Sequence, residues 1–187
     1  MDGTHTRLGK HLERTDMTTT LESALALGAD MVVINVFVGT DNENVQLSKL
    51  GMLATECRSF GMPLMGEMLP VSVMPYHYGK GEKEASVEQI NKDLFLVSRL
   101  GAELGCDVIK TQYSGDKEGF REVVEGTPVP IWLAGGPKGK NSDKEFLEMI
   151  EEAVQAGARG VIIGRNVWQR KDPREMIAAL CGILHRT

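Results

Sequence analysis

Leu104-Gly105-Cys106-Asp107-Val108-Ile109-Lys110 is the stretch whose reading decides the fold. The same wording returns at Leu27-Gly28-Ala29-Asp30-Met31-Val32-Val33-Ile34, and again at Ala156-Gly157-Ala158-Arg159-Gly160-Val161-Ile162-Ile163. A glycine at each junction suits a helix C-cap, where the backbone needs a positive φ. The residues after it are apolar on both faces, as strands of a parallel sheet covered by helices are. Phe60-Gly61-Met62-Pro63-Leu64-Met65 and Thr127-Pro128-Val129-Pro130-Ile131-Trp132-Leu133 fit the same unit more loosely.

The intervening helices announce their starts. Thr19 with Glu22, Ser86 with Gln89 and Ser142 with Glu145 match the capping-box spacing. After Asn42, the residues Leu50, Leu53, Ala54 and Cys57 share one helical face. Ile90, Leu94, Val97 and Leu104 do so after Ser86, and Phe146, Ile150, Ala153 and Val154 after Ser142. Asp172-Pro173 opens a last helix toward Leu184. Strands are predicted at 30–37, 63–68, 107–111, 129–134 and 160–163, each separated from the next by a helix. Such alternation gives an α/β fold with parallel strands joined by crossovers. A doubly wound sheet can stop at that number of strands, whereas a (β/α)₈ barrel takes about 250 residues. No linker or low-complexity tract interrupts residues 1–187, which are expected to form a single domain.

Composition narrows the function classes. A net charge of −5 disfavours nucleic acid as the main partner, because phosphate backbones need a basic surface. Cys57, Cys106 and Cys181 are odd in number and widely spaced, so neither a disulfide framework nor a zinc site is expected. The apolar runs are strand-length, and the opening MDGTHTRLGK lacks the apolar core of a signal peptide. The expectation is a cytoplasmic globular protein with no membrane partner and no metal.

In parallel α/β folds the reactive groups gather at the C-terminal ends of the strands. Lys110 closes an otherwise apolar strand. Burial disfavours the ammonium, and the neutral amine is the form that attacks a carbonyl. The plainer alternative is a lysine that reaches out to solvent at the strand end. Gly135-Gly136 and Gly164-Arg165 follow the last two strands. Glycines let backbone amides approach an anion, and a guanidinium completes a phosphate cradle. Met52, Met62, Met65 and Met68 read as core filler.

Asp107-Val-Ile-Lys110-Thr-Gln-Tyr113-Ser-Gly115, Pro128-Val-Pro-Ile-Trp-Leu-Ala-Gly135-Gly136-Pro137-Lys138 and Gly160-Val-Ile-Ile-Gly164-Arg165-Asn166-Val-Trp-Gln169 together resemble the archaeal-type class I aldolases. That group includes fructose-bisphosphate aldolase, 2-amino-3,7-dideoxy-threo-hept-6-ulosonate synthase and the autoinducer-2 thiolase. The resemblance runs from about Asp2 to the end of the chain. It implies an α/β (β/α)₈ TIM barrel, incomplete here, with the first two βα units absent and the first strand corresponding to the family's fourth. It also implies a homo-oligomer that acts on a phosphorylated sugar or ketose through an imine on Lys110, with no cofactor. Gly135, Gly136, Gly164 and Arg165, with Lys138 nearby, would hold the phosphate.

Two departures accompany the resemblance. The family's first-strand aspartate, which takes part in proton transfer, has no counterpart here. Where the aldolases carry a tyrosine directly before a proline, this chain has Leu69 before Pro70, and leucine moves no proton. His77, flanked by Tyr76 and Tyr78, and Tyr113 are the candidate replacements, with Glu67 either a site carboxylate or a structural ion pair. The expected function is therefore a Schiff-base aldolase of a phosphorylated ketose. A transaldol-type synthase, a thiolase, or a catalytically defective phosphosugar-binding relative are the alternatives.

Overall fold

A computed structural model describes residues 1–3, 15–74, 85–136 and 141–185. Its strands are β1 (Val32–Val38), β2 (Leu64–Pro70), β3 (Val108–Thr111), β4 (Ile131–Ala134) and β5 (Gly160–Ile162). They form one five-stranded sheet in the order β1-β2-β3-β4-β5. Every neighbouring pair is parallel. The helices are α1 (Leu21–Ala26), α2 (Glu43–Phe60), α3 (Val87–Glu103), α4 (Lys117–Glu125), α5 (Asp143–Gln155), α6 (Arg165–Trp168) and α7 (Pro173–Leu184), with a 3₁₀ turn at Val71–Val73.

Strand parity sets which side chain goes where, because successive residues point to opposite faces. Val32, Ile34, Val36 and Val38 of β1 join Leu64 and Met68 of β2, Ile109 of β3 and Ile131 and Leu133 of β4 in one apolar cluster. The same cluster contains Leu50 and Leu53 of α2, Leu94 and Val97 of α3, Phe120 of α4 and Ile150 of α5. That face of the sheet is therefore the helix-covered one. The opposite face carries Asn35, Glu67, Lys110 and Trp132, which in a barrel is the interior.

The junction glycines behave as their position requires: Gly28, Gly105 and Gly157 have φ of 75°, 107° and 117°. Asp172 accepts from the amides of Arg174 and Glu175 and starts α7 with Pro173 at its first position. Ser142 and Glu145 form a reciprocal capping box. One start is displaced by a residue: α1 is capped by Thr20, whose side chain accepts from Ser23 N, and not by Thr19.

The free edge of β1 is occupied by residues 1–3. Asn35 N donates to both carboxylate oxygens of Asp2 at 3.2 and 3.1 Å, and Asp2 bridges Met17 in antiparallel sense. Lys49 of α2 closes the cluster with a 2.8 Å ion pair to Asp2, in which the two side chains are only 9% and 1% exposed. Paired charges this deep require further hydrogen bonds to offset their lost hydration. Thr15 Oγ1 supplies one to Asp2 at 2.6 Å.

Candidate active site

Register places one residue of each strand in a row across the sheet: Asn35, Glu67, Lys110, Trp132 and Gly160. Lys110 stands on the central strand β3, with Glu67 directly beside it on β2. Lys110 Nζ donates to Glu67 Oε2 at 2.7 Å, and the side chains are 14% and 18% exposed. Water therefore reaches both groups without flooding them. Buried Thr111, the next residue, points to the opposite face and donates through Oγ1 to Met68 O at 2.8 Å. That bond pins β3 against β2 at the level of the ion pair.

The other flank of Lys110 is the indole of Trp132, and Gly160 makes room for it. A Cβ on Gly160 would lie 2.8 Å from Cδ2 and Cε2 of the ring, so the indole rests on bare backbone. One step toward the C-terminal ends of the strands, Leu69 of β2 faces Phe37 of β1.

The two glycine turns named in the sequence meet because β4 and β5 are neighbours. Gly135 N donates to Ile162 O at 3.3 Å, extending the ladder, and Gly136 turns away at φ 62°. Ile163 leaves no space at Gly135 for a Cβ, which would come within 2.8 Å of its Cγ2. Gly164 precedes α6, with the Trp168 ring lying against its backbone, and Arg165 is exposed.

Sequence reasoning missed the support beneath these turns. Asn166 Nδ2 donates to Gly135 O at 2.7 Å, while Arg170 reaches Asn166 Oδ1 at 3.0 Å and Asp143 Oδ1 at 2.7 Å. Arg170 is 8% exposed, and its guanidinium lies 5.3 Å from the Phe146 ring centroid. This chain of contacts ties the β4 turn to α6 and to the start of α5. In the sequence Gln169-Arg170-Lys171-Asp172 nothing distinguishes Arg170 from a surface arginine.

The structure places Tyr113 on the helix side of the sheet. It lies past the end of β3 and turns toward the helices, with its hydroxyl on Glu152 of α5 at 3.2 Å and its ring edge-on to Phe120 at 5.2 Å. Burial, reinforced by Glu152, pushes its hydroxyl up to about 12. It is thus held protonated and away from the Lys110–Glu67 pair. Glu67 occupies the place beside Lys110. His77, its neighbours Tyr76 and Tyr78, and Lys138 lie outside the described residues. Among the described residues no group of three or more His, Cys, Asp or Glu side chains is arranged to hold a metal ion. Among them, too, no helix is long and apolar enough to cross a membrane.

An amine and a carboxylate in contact on adjacent parallel strands, with glycine turns at the ends of the two following strands, suit carbonyl chemistry on an anionic substrate. The model of the DeoC/LacD family aldolases matches residues 3–170. The chain belongs to that family. It is 37% identical over 169 residues to an uncharacterized aldolase of Saccharolobus solfataricus, covering 89% of this chain and 58% of the relative. It is also 37% identical over 181 residues to the 2-amino-3,7-dideoxy-D-threo-hept-6-ulosonate synthase of Halobacterium salinarum, covering 96% of this chain and 63% of that one. The chain thus spans less than two-thirds of these curated relatives. Among solved structures, an archaeal fructose 1,6-bisphosphate aldolase superposes with a TM-score of 0.84 at 29% identity, over 98% of this chain and 68% of that one. Another solved structure, of an archaeal fructose-1,6-bisphosphate aldolase with the catalytic lysine covalently bound to the carbinolamine intermediate of the substrate, superposes at 0.79 and 30% identity, over 91% of this chain and 64% of that one. The α/β sheet of this family member is therefore part of a TIM barrel, incomplete in this chain.

Proposed function

We propose that this DeoC/LacD family chain carries the reacting centre of a Schiff-base aldolase for a phosphorylated ketose, with Lys110 as nucleophile and Glu67 as its proton carrier. The observation that carries this reading is the 2.7 Å contact between Lys110 Nζ and Glu67 Oε2 on adjacent strands. The Lys110 amine adds to the ketone carbon, and Glu67 delivers a proton to the carbinol oxygen so that it leaves as water. The resulting iminium draws electrons from the carbon chain. Glu67, now a carboxylate, takes the proton of the hydroxyl two carbons from the iminium. The bond between the intervening carbon and the hydroxyl carbon breaks, an aldehyde departs, and the electron pair remains as an enamine on Lys110. Protonation of the enamine carbon and addition of water release the ketone and restore the amine.

Leu69 favours this assignment of roles. It stands two residues beyond Glu67 on the same strand face, where the resemblance places a tyrosine, so a carboxylate one step deeper takes over the proton transfer. The phosphate would sit at Gly135, Gly136 and Gly164, with Arg165 adding charge at the rim. The transaldol-type synthase reading shares every step up to the enamine.

The test is reduction with borohydride in the presence of dihydroxyacetone phosphate, followed by peptide mass spectrometry. The expected result is a reduced adduct on Lys110, absent in Lys110→Ala and formed roughly 10²–10⁴-fold more slowly in Glu67→Gln. A folded protein that yields no adduct, or one on another lysine, overturns the proposal.

A further inference from the structure

We infer that Asn166 and Arg170 are positioning residues for the phosphate of the ketone: together they fix the direction of the Gly136 N–H at the end of β4. The inference rests on the Schiff-base reading above and deepens its phosphate site.

A trans peptide is planar, so its C=O and N–H point in opposite directions. The Gly135 carbonyl and the Gly136 N–H belong to one such unit, and there is no cis bond among the described residues. Whatever holds the oxygen therefore aims the hydrogen. Asn166 Nδ2 donates to Gly135 O at 2.7 Å, and Asn166 is only 3% exposed. The Gly136 N–H is thereby turned away from Asn166. Gly135 N extends the ladder to Ile162 O at 3.3 Å, and the anion-binding part in this turn falls to Gly136. Such a peptide does not keep its direction unaided. Gly136 stands at φ 62° and, lacking a Cβ, accepts the reversed peptide about as readily. Reversal would set the Gly135 carbonyl oxygen where the N–H stands, and that oxygen repels a phosphate.

The Asn166 carboxamide needs the same discipline, because a half-turn would oppose its Oδ1 to Gly135 O, acceptor against acceptor. Arg170 decides the matter. A guanidinium only donates, and Arg170 Nη2 reaches Asn166 Oδ1 at 3.0 Å, so the amine end is the one left facing Gly135. Arg170 is fixed in turn by Nε on Asn166 O at 3.2 Å and by Nη1 on Asn141 O at 2.9 Å and Asp143 Oδ1 at 2.7 Å. The same guanidinium thus holds both ends of the connection from β4 to α5, Gly135 through Asn166 and Asn141 directly. A lysine ammonium concentrates its donors at one point and cannot reproduce contacts spread over three nitrogens.

The experiment measures borohydride trapping at Lys110 against concentration, for dihydroxyacetone phosphate and for unphosphorylated dihydroxyacetone. It compares wild type with Asn166→Leu and Arg170→Lys. Both substitutions keep the net charge, so the long-range attraction of a phosphate is preserved. Each sample is its own control, because a loss of folded protein lowers trapping of both ketones alike. A hydrogen bond to a charged group is worth roughly 10–100-fold in affinity. In both variants the half-saturating concentration of dihydroxyacetone phosphate should therefore rise about 10-fold or more relative to that of dihydroxyacetone, with the limiting rate at saturation retained. An unchanged ratio, or a loss confined to the limiting rate, overturns this inference and leaves the aldolase reading standing. A shift in only one of two folded variants overturns the coupled arrangement; where one variant fails to fold, the other decides. Absence of any adduct in wild type overturns both readings.

Discussion

Replacing Lys49 with methionine tests how the free edge of the sheet is held. Lys49 Nζ has five oxygen acceptors within reach: Asp2 Oδ2 at 2.8 Å, Thr15 O at 2.8 Å, Thr15 Oγ1 at 2.7 Å, Asn35 O at 3.1 Å and Gln46 Oε1 at 3.1 Å. Methionine keeps the length and apolar stem but leaves the Asp2 carboxylate buried with only Thr15 and Asn35 as donors. Orphaning one partner of a buried pair costs about 3–5 kcal/mol. For a chain of this size each kcal/mol moves the midpoint by about 2–4 °C, so Lys49→Met should melt roughly 6–20 °C lower at pH 7. Adding Asp2→Asn should recover part of that loss, since the second change removes the orphaned charge.

The pH dependence has a definite sign. Burial alone would raise the Asp2 carboxyl, but hydrogen bonds from Lys49, Thr15 and Asn35 and the Lys49 charge hold it below its ordinary value. Its stabilising contribution is therefore complete above the unfolded value of about 3.9 and is lost as pH falls through the lower folded value. In Lys49→Met the burial remains and the main lowering causes are gone, so acidification protonates Asp2 and relieves the variant. Paired thermal melts between pH 7 and pH 3 should show the gap narrowing in acid. A cost below about 1 kcal/mol at pH 7, or a gap indifferent to pH, would refute the reasoning.

Two further outcomes follow from groups outside the proposed reaction. Tyr113→Phe should leave borohydride trapping at Lys110 unchanged, and a loss of about 10²-fold or more would return Tyr113 to the proton-transfer role. Because its hydroxyl is pushed up to about 12, first by burial and then by Glu152, the absorbance difference between wild type and Tyr113→Phe should show no tyrosinate at pH 10. Cys181 is exposed, whereas Cys57 and Cys106 are buried. Burial, with Asp107 beside it, raises the Cys106 thiol to about 12, and burial raises Cys57 as well. A disulfide reagent at pH 8 should therefore modify Cys181 rapidly in the native protein and the other two only after unfolding; fast modification of Cys57 or Cys106 would contradict their placement.

The sheet was legible because an apolar strand tolerates errors of detail. Val32, Ile34, Val36 and Val38 need only be branched and alternate with residues the interior accepts, and any reading of that run yields a strand. Helix starts were legible where one capping residue stood alone, as at Ser86 and Asp172, or where a Glu three residues on completed a capping box, as at Ser142 with Glu145. Thr18-Thr19-Thr20 offers several frames with the same chemistry, and only the extended backbone of Thr20, at φ −99° and ψ 161°, selects the cap.

Polar residues obey a different rule, since what they do depends on a partner that sequence spacing does not give. Lys110 and Glu67 are 43 residues apart and meet because β2 and β3 are adjacent and in one register. A slip of one residue would turn Glu67 into the helix layer and break the pair. Tyr113 is closer to Lys110 along the chain, yet it lies beyond the last paired residue of β3, where strand parity no longer fixes direction, and Phe120 and Glu152 capture it on the helix side. Arg170 shows the converse. Its surroundings in the sequence are polar, but α6 is only four residues long, and the turn that follows returns Arg170 to Asn166 and to Asp143 at the start of α5. A site proposed from strand ends thus takes in the residues that a sheet aims by its own geometry, Lys110 and the paired glycine turns. It does not reach those aimed by the packing of a later helix, nor does it give the direction taken by a residue close in sequence but outside the ladder.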